Sequence, residues 1–83
     1  GVSLERELAL VKVQGKGEKR IEALRLAEIF RAQVVDTSTE HFVFEVTGKA
    51  SKIETFINIM RELGMTEVSR TGIAAIGRGA ATL

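Results

Sequence analysis

Between Ala27 and Ser38 the chain passes from a helical pattern to an extended one with no glycine or proline between them. Ala27 and Phe30 close an apolar stripe at helical spacing, and Val34 and Val35 open an extended run soon after. With so short a joint, Phe30 and Val34 can serve one core. The residues before the joint deliver one strand and one helix to it, and the residues after it repeat the plan. A chain organised this way has only a few small α+β arrangements open to it.

The first predicted strand is Glu7 to Gln14. Ala9, Val11 and Val13 share one face, and Leu8, Leu10 and Lys12 share the other. Both faces are largely apolar, as in a central strand covered on both sides. Gly15-Lys16-Gly17 breaks it. A helix is predicted from about Glu18 to Ala32, with Ala23, Leu26, Ala27 and Phe30 at i, i+3, i+4 and i+7 as its core stripe. Ile21 and Ile29 fall toward its polar side, either as ordinary exposed residues or in contact with a partner. Gln33 to Thr37 reads as a short edge strand.

The clearest strand signal is His41 to Thr47, where Phe42, Phe44 and Val46 alternate with His41, Val43, Glu45 and Thr47. A second helix follows from Ala50 or Ser51 to Leu63, with Ile53, Phe56, Ile57 and Met60 repeating the stripe. Ser51 and Glu54 have capping-box spacing, and Gly64 stands where a helix stops. Met65 to Thr71 reads as an edge strand. Ile73 and Ile76 suggest one more extended segment, with fraying expected after Gly77.

The order β-α-β-β-α-β predicts an α+β, ferredoxin-like sandwich: a four-stranded antiparallel sheet with two helices on one face. Right-handed crossovers put the first and third strands in the middle, which agrees with their being the most apolar. The uncovered face would show Leu8, Leu10 and Val43, joined by Val35. Its apolar character predicts burial against a second copy or another domain.

Residues 1–83 are enough for one domain with a modest core. Lys and Arg number 12 against 11 Asp and Glu, a net charge of +1, so the one-signed field of a dedicated nucleic-acid or membrane-surface binder is missing. There is no Cys, which fits a reducing, cytoplasmic setting. No apolar run approaches the roughly 20 residues of a membrane-spanning helix. Gly1-Val2-Ser3 lacks Met and runs at once into structure, and so reads as the cut end of an excised domain.

Catalytic chemistry lacks its parts. His41 is the only His, and Asp36, Glu40 and Glu45 are scattered around two strands with no apolar pocket readable near them. Gly15 to Arg20 looks like a truncated dinucleotide fingerprint, but Arg20 stands where a third glycine belongs. A solvated glycine turn is the plainer reading, although Lys16, Lys19 and Arg20 beside a helix start would welcome an anion. Phe42 and Phe44 have the spacing of base-stacking aromatics without the flanking basic residues and glycines. They are expected in the core against Phe30 and Phe56.

Five segments together resemble the C-terminal domain of the small, regulatory subunit of acetolactate synthase (acetohydroxyacid synthase). They are ERELALVKV (5–13), AEIFRAQVVDTS (27–38), FEVTG (44–48), KIETF (52–56) and EVSRTGIAAIGRG (67–79). The resemblance implies a domain with no catalytic, cofactor or metal site of its own. It implies a homodimer and a large catalytic subunit that holds thiamine diphosphate, Mg²⁺ and FAD and makes acetolactate from pyruvate. It also implies transmission of feedback inhibition by branched-chain amino acids, chiefly valine. The family's effector site lies in an N-terminal ACT domain between two copies. That half is absent here, so valine binding is not implied for this chain alone. Leu8, Leu10, Val35 and Val43 are the self-association candidates, and Arg31, Arg70 and Arg78 the partner-contact candidates. The alternatives are a stand-alone amino-acid-sensing module and a nucleic-acid binder, the latter disfavoured by net charge.

Overall fold

The computed structural model describes residues 3–72 and 74–77. The elements in order are β1 (Ser3–Gln14), α1 (Glu18–Ile29), β2 (Gln33–Thr37), β3 (His41–Gly48), α2 (Ala50–Glu62), β4 (Met65–Arg70) and β5 (Ala74–Gly77). The sheet runs β2-β3-β1-β4, and every pairing in it is antiparallel. This is the ferredoxin-like βαββαβ fold, with β1 and β3 central as their apolar content predicts.

The core forms where the helices rest on one face of the sheet. Ala9, Val11 and Val13 of β1 and Phe42, Phe44 and Val46 of β3 meet Ala23 and Ala27 of α1 and Ile53, Phe56, Ile57 and Met60 of α2. The Phe56 ring sits at its centre, 5.4 Å from the Phe30 centroid and 6.2 Å, edge-on, from Phe44. Aromatic pairs favour such tilted and edge-on arrangements.

Several expected boundaries move, each for a physical reason. The first helix was expected to reach Ala32, but α1 stops at Ile29. With no glycine in the joint, Arg31 itself takes the left-handed conformation, φ 57°, and the Ala32 N–H donates back to the Ala27 carbonyl at 2.8 Å. The expected capping box does not form. Lys49 is the cap residue of α2, which puts Ser51 inside the first turn, and the Glu54 carboxylate pairs with Arg70 instead. Gly64 does close α2. Its φ is +108°, and a Cβ there would lie 2.1 Å from the Gln14 carbonyl oxygen, so the β1–α2 approach requires glycine.

The first strand begins at Ser3 instead of Glu7, because Ser3–Arg6 pair with β5. Leu4, Glu5 and Arg6 lack the clean alternation of the residues after them, and that register is set only by a segment far along the chain. β5 is the extended segment anticipated from the tail. Ile73 and the residues after Gly77, where fraying was expected, lie outside the described residues. β4 and β5 follow one another along the same strand, β1, bridged by Thr71, whose N–H donates to the Leu8 carbonyl at 3.0 Å. Among the described residues Ser3–Arg6 pair with β5 alone, so β1 leaves the sandwich as one strand of a two-stranded ribbon. The result is a long molecule, 49 × 17 × 16 Å.

Candidate functional site

The sheet face opposite the helices is uncovered. On it the cross-strand partners are Leu8 with Thr47, Leu10 with Glu45, and Lys12 with Val43 on one side and Glu67 on the other. Burial on both faces was expected for β1; within this chain only the helix side is covered, and Leu10 remains 39% exposed. Leu10, Lys12, Val43, Glu67, Val68 and Ser69 line a shallow depression of about 460 Å³. The fold therefore brings Leu8, Leu10 and Val43 onto one face. Val35 stands at the edge, exposed, where the β2–β3 register shifts between Val34 and Asp36. The face is more polar than its leucines alone suggest, since Lys12, Glu45 and Glu67 surround them.

Of the three arginine candidates, the two described ones, Arg31 and Arg70, lie apart. Arg70 ends β4 and is held inside the chain: Nε and Nη2 donate to the buried carboxylate of Glu7, and Nη1 donates to Glu54 at 2.6 Å. Hydrogen bonding from Arg70 holds the Glu7 carboxyl below its ordinary range against the opposing effect of desolvation, and the same contacts raise the guanidinium further above its usual value. The cluster ties β1, β4 and α2 together at the root of the ribbon. Arg31 is exposed at the exit of α1, beside the opposite edge strand β2. Arg78 lies outside the described residues.

At the glycine turn most of the cations already have partners. Lys16 pairs with Glu40 at 2.7 Å. Arg20 lies 4.0 Å above the Phe42 ring and donates to the Thr39 carbonyl. Phe42 and Phe44 are buried beneath the helices, where no base can stack on them. His41 is half-buried at the start of β3, its backbone N–H donating to Ser38 Oγ. Among the described residues, no three His, Asp or Glu side chains are grouped so as to hold a metal ion, and no helix is long and apolar enough to cross a membrane.

The helix layer has a feature that helical spacing only partly foretold. Ile21 and Ile29 are 66% and 67% exposed, and Leu24 joins them. Beside them a groove of about 450 Å³ runs between α1 and α2, lined by Glu22, Leu26, Thr55, Asn58, Ile59, Glu62 and Leu63. Leu26, a member of the expected core stripe, is half-buried, packs against the core and also forms a wall of this groove.

A family model described as "Small subunit of acetolactate synthase" matches residues 6–79. The chain belongs to this family. Among acetolactate synthase small subunits, a probable one from Archaeoglobus fulgidus is 48% identical over 77 residues, covering 93% of this chain and 48% of the relative. The Bacillus subtilis small subunit is 43% identical over 76 residues, covering 92% of this chain and 44% of that protein. The crystal structure of the Thermotoga maritima small subunit superposes with a TM-score of 0.85 at 42% identity, covering 95% of this chain and 48% of that one. The chain thus spans about half the length of the small subunits it matches.

Proposed function

We propose that this chain is a non-catalytic, regulatory domain of an acetolactate synthase. On this reading it supports dimerisation of the small subunit, raises the activity of a larger catalytic subunit, and carries the response to valine from an ACT domain elsewhere in the small subunit. The observation that supports it best is family membership across residues 6–79, joined to a sheet face left uncovered around Leu8, Leu10 and Val43. Thiamine diphosphate, Mg²⁺ and FAD belong, on this proposal, to the catalytic partner.

The test is the rate of acetolactate formation by the cognate large subunit, measured with and without this chain and with and without valine. A change in rate on adding the chain supports direct action on the catalytic subunit. An unchanged rate, alongside activation by an intact small subunit, would remove direct activation from the proposal. Self-association is assigned to the face carrying Leu8, Leu10 and Val43. Leu10→Lys, placed at its centre, should lower the mass seen in sedimentation; an unchanged dimer mass would show that the assignment is wrong.

A further inference from the structure

β1 has two neighbours along most of its length. From Glu7 to Gln14 it pairs with β3, and from Ala9 to Val13 with β4. Among the described residues, Ser3–Arg6 pair with β5 alone. Two strands by themselves are marginally stable in water, whereas the four-stranded sheet is held by the core beneath it. The ribbon therefore opens at less cost than the sandwich unfolds.

The joint between β4 and β5 is built to adjust. β4 ends its pairing with β1 at Ala9↔Arg70, and β5 begins at Arg6↔Ala74. Over that interval β1 advances by three residues and its partner by four, so one residue is extra, as in a β-bulge. At Leu8 the Thr71 side chain takes the place of a backbone carbonyl: the Leu8 N–H donates to Thr71 Oγ1 at 3.0 Å. Gly72 follows at φ +78°, and a Cβ there would meet nothing within 4 Å. The backbone turn favours glycine, and the space around it leaves the chain room to shift.

One guanidinium holds this joint. Among the described residues Glu7 is the one buried charged residue. It stands on β1 at the boundary, since Glu7↔Gly48 is the last pair between β1 and β3. A buried carboxylate needs a partner. Arg70, next to Thr71, supplies it through Nε and Nη2, and its Nη1 donates to Glu54 of α2 at 2.6 Å. While β1, β4 and α2 are tied here, the tether to β5 starts at Arg70, and a short tether keeps β5 close to its strand. Without Arg70, Glu7 is a buried charge with no partner, and opening this end of the sheet to water relieves it.

We propose that β5 is a releasable strand: it parts from Ser3–Arg6 while the sandwich stays folded, and Arg70, gripped by Glu7 and Glu54, is the latch on its joint. Release exposes the backbone of Ser3–Arg6 for pairing with another strand, so the domain has two states at the ribbon and one in the sandwich. Release is a property of this chain alone, whatever the domain regulates.

The experiment is amide hydrogen exchange by NMR on the whole chain in low urea, with β2, at the opposite edge of the sheet, as the control. In the unaltered chain the bonded ribbon amides should exchange as one group, about a hundredfold faster than those of Val11 and Phe44, and with little dependence on urea. Ribbon amides that share the rate and urea dependence of the core amides make the chain one cooperative unit and overturn release. Ribbon amides as fast as those of a free peptide mean that no paired state exists and overturn it also. Arg70→Gln should speed the ribbon amides about tenfold and the β2 amides less than about twofold. Equal acceleration of both makes Arg70 a support of the whole fold and overturns the latch. Glu54→Gln removes one grip on Arg70 from a half-exposed site and should speed the ribbon amides severalfold, again without β2; it decides the latch if Arg70→Gln fails to fold. Thr71→Val keeps the side-chain shape, removes Oγ1 and should also act on the ribbon alone. Ribbon amides unmoved by all three variants overturn the joint and its latch together.

Discussion

α1 and α2 are 12 and 13 residues long and rest side by side on the same sheet face, yet they bury different things. α2 places Ile53, Phe56, Ile57 and Met60 wholly inside and shows polar residues to water. The fully buried residues of α1 are two alanines, Ala23 and Ala27, with Leu26 and Phe30 packed against the core from its edge. Alanine contributes little buried area, so α1 draws far less hydrophobic stabilisation from the sheet than α2 does. The Arg70–Glu54 contact fastens α2 to β4 as well. The contrast teaches a division of labour. α2 holds the fold together, while α1 spends its large aliphatic residues on its outer side.

The two helices also leave the sheet differently, through Gly64 for α2 and Arg31 for α1. Substitutions can break or sharpen the comparison. The largest effect belongs to Phe56→Ala, which removes the ring shared by Phe30 and Phe44; it should cost about 4 kcal/mol in urea unfolding. A loss near that of an exposed site would mean that α2 is not the anchor. Gly64→Ala forces a Cβ onto the Gln14 carbonyl and should cost about 3 kcal/mol by the same measurement.

The Glu7–Arg70–Glu54 cluster is tested by pH. Because Arg70 depresses the Glu7 carboxyl in the folded state, its contribution is present above the ordinary value of 4.5 and is lost as pH falls through the depressed one. The stability gap between the chain and Glu7→Gln should therefore be widest at neutral pH and close on acidification below 4.5. A gap that widens with acid would reverse the assignment. At the exit of α1, Arg31→Gly relieves the left-handed backbone and should stabilise by about 0.5 kcal/mol; a loss would show that the Arg31 side chain supports the turn. Smallest of all, Ile21→Gln and Ile29→Gln should leave stability within about 0.5 kcal/mol of the parent. A larger loss at either would mean that the outer side of α1 already has a place in the core.

What could be read beforehand follows the range of the interactions. The α2 stripe and the Phe42–Phe44–Val46 alternation are local patterns imposed by one buried face, and both elements stand where those patterns put them. The strand order followed because the most apolar strands had to be central. The end of α1 was missed because a left-handed arginine has no compositional mark. The capping box was misread because Ala50 starts the helix one residue before Ser51, placing the serine within the turn. The β1–β5 pairing and the Glu7–Arg70 contact join residues that are far apart in sequence, which no periodicity announces. Of the candidate site, Leu8, Leu10 and Val43 could be placed on one face from alternation alone. The groove beside Leu26 required the spacing of two helices relative to each other, and that emerges only on folding.

One feature of the ribbon bears on mechanics. β1 is both the central strand of the sandwich and one rail of the ribbon, and nothing interrupts it between Ser3 and Gln14. A pull applied at the ribbon end along β1 reaches its hydrogen bonds to β3 and β4 in parallel, because those bonds lie across the strand direction. The bonds then share the load in shear and do not open one after another. Such a strand is a stiff shaft: it passes a twist or a tug from its far end straight into the middle of the domain, with little lost in stretching on the way.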